Sequence, residues 1–256
     1  MSVSASLYGW DGFDPSTKKW MELPEIPVDD NIFTASHKES LAVGSQSIDG
    51  FWARDLNDNI LKSVELYDSR TGSWTMLPDM HYPRKSCSGF FMDEKFYVIG
   101  GMTSPNDLLT CGEEYDLKTK KWRKIDGMNP DVVKKSVDSA NRVPPPVVAV
   151  VRDELYAVEH LSNMLKKYNK KNNSWDVLGR LPIREEFFTC WGMALKTLED
   201  RLLFVAGKEV PGDKCIVLNT WNPKSGVKDG ILDWQDVLAV KTDVGSFVYN
   251  CDVIYC

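Results

Sequence analysis

Four times in this chain of 256 residues an aromatic stands seven positions ahead of a tryptophan: Phe13 and Trp20, Tyr67 and Trp74, Tyr115 and Trp122, Tyr168 and Trp175. Asp or Asn follows each aromatic at once (Asp14, Asp68, Asp116, Asn169), and Thr or Asn comes three positions later (Thr17, Thr71, Thr119, Asn172). A looser fifth copy, Trp221-Asn222, meets its Trp234 after a longer turn. The five aromatics lie 54, 48, 53 and 53 residues apart. A period near 50 that runs through almost the whole chain marks a repeat architecture, in which one supersecondary unit stacks on its own copies. It argues for a single domain over residues 1–256 rather than two small ones.

The fullest copy shows what the unit is. An apolar run at Ser88–Met92 turns at Asp93-Glu94 into Lys95–Ile99, which ends in Gly100-Gly101, and Tyr115 and Trp122 close the unit. Short alternating runs with turn residues between them read as four antiparallel strands, and a series of such units reads as an all-β propeller of about five blades. Units fall near residues 6–25, 32–79, 84–127, 142–180 and 187–238, with one further apolar strand at 244–253. Glycine at the end of a second strand permits positive φ and close backbone approach, so Gly100 and Gly101 read as structural rather than phosphate-binding. The fourth unit runs from Pro144 to Val151 and from Leu155 to Val158, with Glu159-His160 in place of the glycine pair. The fixed register of Phe13, Trp20, Tyr67, Trp74, Tyr115, Trp122, Tyr168, Trp175, Trp221 and Trp234 is that of residues packed between blades, not of a ligand platform.

Two irregularities stand out. In unit 32–79, Ser40–Gly44 supplies an inner strand, but Ser45–Trp52 has no apolar run for a second one. The chain also opens in mid-blade, with no second strand before residue 6, so the strand at 244–253 is expected to join residues 6–23 in an incompletely closed ring.

The net charge of −6 arises from 31 basic and 37 acidic residues interspersed along the chain, which gives no basic stripe for nucleic acid or a membrane surface. No apolar run approaches the roughly 20 residues needed to cross a bilayer, and no signal-peptide core follows Met1. A cytoplasmic or nuclear location is expected. The six cysteines (Cys87, Cys111, Cys190, Cys215, Cys251, Cys256) show neither a C-x-x-C pair nor zinc-site spacing and read as small core residues.

With the glycine pair, the Tyr-Asp-x-x-Thr-x-x-Trp string and Leu77-Pro78 through Pro83-Arg84 in hand, the chain resembles kelch-repeat proteins. Ser88–Met92, Phe96–Met102, Lys121–Ile125 and Asn222–Gly226 are similar to the kelch part of plant F-box/kelch-repeat proteins. That resemblance implies a propeller that holds a protein substrate, joined in the family to an F-box that docks the Skp-type adaptor of a cullin ubiquitin ligase. An F-box string does not precede Trp10 here, and the family usually shows one more blade, so the chain looks truncated or alternatively spliced. The adaptor is accordingly expected as a partner only of a longer form.

Enzymatic propellers provide the contrasting expectation. A sialidase-type Asp-box sets its Asp five residues before the Trp, whereas Asp68 and Asp116 stand six before theirs. Copper sites like that of galactose oxidase need two histidines with tyrosines, and His37, His81 and His160 fall on dissimilar units. The four-residue Glu, Asp, His intervals of iron-dependent specifier proteins do not occur either. Glu113-Glu114 and Glu185-Glu186 are sequence neighbours and point to opposite strand faces. No catalytic residue, metal or cofactor is therefore expected. Binding in repeat folds sits on loops. Arg84, Arg142 and Arg184 each stand shortly before an inner strand, where three guanidiniums at one mouth of the channel would bind an acidic or polar peptide. Pairing with local acids is the competing role for them. A small-ligand or metal-dependent propeller enzyme, and a truncated isoform without autonomous function, stay open as alternatives.

Overall fold

The recurring string folds as a hairpin that sets the aromatic opposite the tryptophan. The computed structural model describes residues 11–14, 19–22, 40–43, 46–49, 59–68, 73–104, 107–130, 144–159, 162–182, 192–210, 213–227 and 230–241. Residues 1–36 form one compact unit and 37–256 another. In the first, β1 (Asp11–Asp14) pairs antiparallel with β2 (Lys19–Glu22).

The second unit holds four antiparallel sheets in chain order. One comprises β3 (Ser40–Val43), β4 (Gln46–Asp49), β5 (Val64–Asp68) and β6 (Ser73–Leu77). The next comprises β7 (Lys85–Met92), β8 (Lys95–Ser104), a short β9 (Asp107–Leu108) paired to the end of β8, β10 (Gly112–Asp116) and β11 (Lys121–Ile125). β12 (Val148–Val151), β13 (Glu154–Glu159), β14 (Met164–Asn169) and β15 (Ser174–Arg180) form the third. β16 (Met193–Leu198), β17 (Arg201–Val210), β18 (Asp213–Trp221) and β19 (Gln235–Lys241) form the fourth. Four-stranded meanders, each packed on the next, make the β-propeller that the repeat implied, and no α-helix occurs among the described residues.

Register repeats with the sequence. Phe13 faces Trp20, Tyr67 faces Trp74, Tyr115 faces Trp122 and Tyr168 faces Trp175. The rings of the last two pairs lie 5.0 and 5.2 Å apart. The Asp or Asn beside the aromatic turns the hairpin: Asp116 Oδ1 accepts from the N–H of Lys118 (2.8 Å) and Thr119 (3.0 Å), and Asn169 Oδ1 accepts from Lys171 N (3.1 Å). Asn222 Oδ1 does the same for Lys224 N (2.9 Å), so the fifth copy keeps the turn signal although a 3-10 turn at Pro223–Ser225 lengthens its loop.

Strand alternation explains why the second strands read as unbroken apolar runs. Along β8, Phe96 and Val98 pack with Val64, Met80 and Tyr115 toward the preceding sheet. Tyr97 and Ile99, on the other face, pack with Leu155 and Tyr168 toward the following one. A strand buried on both faces cannot alternate with polar residues. The buried Cys87 and Cys111 lie in this region as well, and Cys215 is buried on β18; Cys190, Cys251 and Cys256 lie outside the described residues.

Sheets are also tied by polar bonds at equivalent places. Trp122 Nε1 donates to Pro78 O (2.7 Å), Trp175 Nε1 to Met128 O (3.1 Å) and Trp234 Nε1 to Arg180 O (3.2 Å). Each indole thus reaches the chain just leaving the previous sheet. Nearer the inner edge, Ser88 Oγ donates to Pro146 O and Thr197 Oγ1 to Val150 O, both at 2.6 Å. Trp122→Phe deletes the N–H together with the five-membered part of the indole. It is expected to lower unfolding free energy by about 1–3 kcal/mol, the lost bond plus lost packing, with the fold intact; unchanged stability in urea titration would show that neither adds anything net.

The expectation that unit 32–79 lacks a second strand is corrected. β4 occupies that place, pairing Ser47 with Ala42 on one side and with Tyr67 on the other. Backbone ladders to two neighbours hold a strand whose sequence, Gln-Ser-Ile-Asp, carries one apolar residue. The strand expected at 244–253, and residues 6–10, lie outside the described residues.

Candidate functional site

The connections that enter each inner strand were the expected binding elements, and the one between β6 and β7 is described in full. Residues 78–84 pass from the first of these sheets to the second: Met80 N donates to Lys62 O (2.9 Å), just ahead of β5, and the ring of Tyr82 lies under Lys124 Nζ on β11 at 5.3 Å. Arg84 ends this strap, and its side chain is 0% exposed. Its Nε and Nη2 donate to Glu113 Oε1 at 3.2 and 2.9 Å, and its Nη1 donates to Gly100 O (2.7 Å) and Cys111 O (3.1 Å). Arg84 therefore does not offer its guanidinium to a partner. Position in the chain put it on a connecting loop, and a buried carboxylate draws it inward. Arg142 and Arg184 lie outside the described residues, as do Glu185, Glu186, His37 and His160.

Glu113, also 0% exposed, is the centre of this cluster. Besides Arg84 it accepts from the N–H of His81 (2.7 Å) and Tyr82 (3.3 Å), and its Oε2 lies 2.6 Å from Nδ1 of the half-exposed His81. The sequence did not single out Glu113 as the partner of Arg84. A signal existed in the spacing, because Glu113 stands two residues before the repeat tyrosine, as Glu65 does in the preceding copy.

Glu114 points the other way, as neighbours on a strand must. Its side chain is 5% exposed and accepts from Lys95 Nζ (3.0 Å) and Arg123 Nε (2.7 Å). Burial pushes its carboxyl up, but the hydrogen bonds from Arg123 and Lys95 outweigh that and hold it below the usual 4.5. A carboxylate more acidic in the folded than in the unfolded chain contributes stability above the unfolded value, and loses it as pH falls through the folded one. Glu114→Gln is thus expected to be less stable than the natural chain at pH 7 and to converge with it as pH falls from 4.5 through the lowered folded value. Parallel curves of unfolding free energy against pH would refute this.

Glu114 also borders a groove of about 460 Å³ between the second and third sheets, with Tyr97, Arg123, Tyr168, Lys170 and Asn173 around it. Its charges are largely matched in place, Lys170 with Asp93 and Lys124 with Asp126. Burial, with the charge of Glu114 close by, pushes the Tyr97 hydroxyl well above its usual 10.0, so it stays a neutral phenol. Tyr168 OH donates to Asn173 Oδ1 (2.6 Å), whose amide in turn donates to Asp126 O (2.6 Å). Such a surface offers hydrogen bonds and fixed charges, and its described lining presents no activated nucleophile with a base. Among the described residues no three metal-ligating side chains gather, and no helix is long and apolar enough to cross a membrane.

The Kelch motif matches residues 50–81 and 83–129. Over 99% of its length the chain is 35% identical to the F-box/kelch-repeat protein At1g26930 of Arabidopsis thaliana and spans 70% of it. It is 35% identical to At1g74510 and 36% identical to SKIP11, two F-box/kelch-repeat proteins of the same plant, again over 99% of the chain, and spans 66% and 63% of them. The chain thus spans about two thirds of the length of these relatives. A solved structure, that of YjhT, superposes with a TM-score of 0.54 at 15% identity, over 89% of this chain and 69% of that one, and speaks for the fold alone.

Proposed function

Because the chain belongs to the F-box/kelch-repeat family, we propose that its propeller is the substrate-recognition part of a cullin-type ubiquitin ligase subunit. The coarser statement, a protein-interaction propeller, follows from the kelch repeats and the family together. The observation that carries the finer one is identity of 35% across 99% of the chain with a protein named for both modules. On this reading the chain makes no bonds itself. It holds a protein substrate through an acidic or polar segment, in the cytoplasm or nucleus, with neither nucleic acid nor membrane as partner. The Skp-type adaptor joins only a form that carries the F-box.

The binding loops on this reading are those bearing Arg142 and Arg184, since a guanidinium forks onto carboxylates and is enriched at interface hot spots. Affinity capture from plant extract with the whole chain, competed with excess free chain, is the test. A protein lost on competition, and captured at least about tenfold less by the Arg142→Ala/Arg184→Ala double variant, is the expected result. Capture untouched by that substitution moves the site elsewhere. The absence of any competed protein overturns the binding role.

A further inference from the structure

We infer that one whole repeat present in the relatives is absent from the interior of this chain, and that β3–β6 is a composite blade built from two half-repeats. Three observations meet there. The alignment to At1g26930 runs over 301 positions against a chain of 256, which leaves at least 45 positions of the relative facing gaps inside this chain. The alignments to At1g74510 and SKIP11 run over 306 and 302 positions. Short losses scattered through the blades would shrink the repeat, yet the aromatics keep spacings of 54, 48, 53 and 53. Removal of one full period is what leaves the spacing untouched.

The position follows from the strands. In three sheets the second strand has an apolar core buried on both faces: Phe96–Ile99 on β8, Leu155–Val158 on β13 and Leu202–Ala206 on β17. β4, Gln-Ser-Ile-Asp, is short and polar in the same topological place. The first stretch of Kelch motif begins at residue 50, after β4, and takes in only the outer strands β5 and β6, whereas the second spans all of β7 to β11. The inner pair β3–β4 and the outer pair β5–β6 therefore meet at a junction between Asp49 and Val64. A fourth relative, the F-box/kelch-repeat protein At3g27150, pairs with 94% of the chain over 245 positions without such a surplus. A repeat chain permits that when its first half-blade is set one period out of phase.

The consequence is a weak point with a fixed address. β4 has two backbone partners and few apolar side chains, so its opening costs less than that of the other second strands. The inference stands whichever partner the propeller takes. Amide hydrogen exchange on the whole chain is expected to show β4 exchanging at least about tenfold faster than β8, β13 and β17. A second variant inserts, after Asp49, the block that At1g26930 carries opposite the gap. It is expected to bring a protected second strand and to raise the melting temperature by about 5 °C. Protection of β4 equal to that of β8 overturns the composite blade, even where the inserted variant fails to fold.

Discussion

Arg84→Ala is expected to lower the unfolding free energy by about 3–5 kcal/mol, the range for a buried ion pair that loses one member. The guanidinium makes hydrogen bonds to Glu113, Gly100 and Cys111 from a position with 0% exposure. Its removal leaves the Glu113 carboxylate in the interior with His81 and two backbone N–H groups as its remaining partners. Arg84→Lys keeps the charge, but one ammonium cannot span the carboxylate and two carbonyls, so a loss of about 2 kcal/mol is expected. The double variant Arg84→Met/Glu113→Leu removes both charges from the interior and is expected to regain more than half of the loss, as apolar replacement of a buried pair does. Urea titration of the natural chain, Arg84→Met, Glu113→Leu and the double variant gives the cycle. An Arg84→Ala cost below about 1 kcal/mol, or a double variant as weak as the sum of its parts, would contradict a buried, mutually dependent pair.

Gly101→Ala carries the second large effect, about 3 kcal/mol. At φ 84° the residue lies in the left-handed region, where a side chain costs about 1–2 kcal/mol. A Cβ there would lie 2.8 Å from Lys85 O and 2.9 Å from Cys87 Cβ, both in the neighbouring inner strand, and overpacking adds about 1–3 kcal/mol. Gly127 separates the two causes. Its φ is 69°, but nothing lies within 4 Å of a Cβ built on it, so Gly127→Ala is expected to cost only the conformational part, about 1 kcal/mol. Equal losses for the two variants in thermal and urea unfolding would remove close approach as the reason for the glycine pair.

What could be read from the residues alone was whatever the repeat writes several times. The Tyr–Trp hairpins, the Asx turns at Asp116 and Asn169, and the glycine pair within β8 each have a local cause: a cross-strand ring pair, a side chain bonded two residues on, a positive φ. β4 was not readable because it has no such cause; its two neighbouring strands hold it. The role of Arg84 was hidden for a related reason. An arginine before an inner strand looks the same on paper whether it faces solvent or a carboxylate 29 residues away, and Glu113 acquires its meaning only when β10 pairs with β8. Binding specificity is less legible still, since on the proposed function it would belong to connections that the repeat leaves free to vary.

The indole bonds between sheets have a direction in time. Trp122 reaches back to Pro78, Trp175 to Met128 and Trp234 to Arg180, so in every described case the acceptor precedes the donor in the chain. A polypeptide made from its N-terminus meets each of these acceptors already synthesised. These blades can therefore be laid down one upon another during synthesis, each of the three tryptophans docking on a neighbour already made.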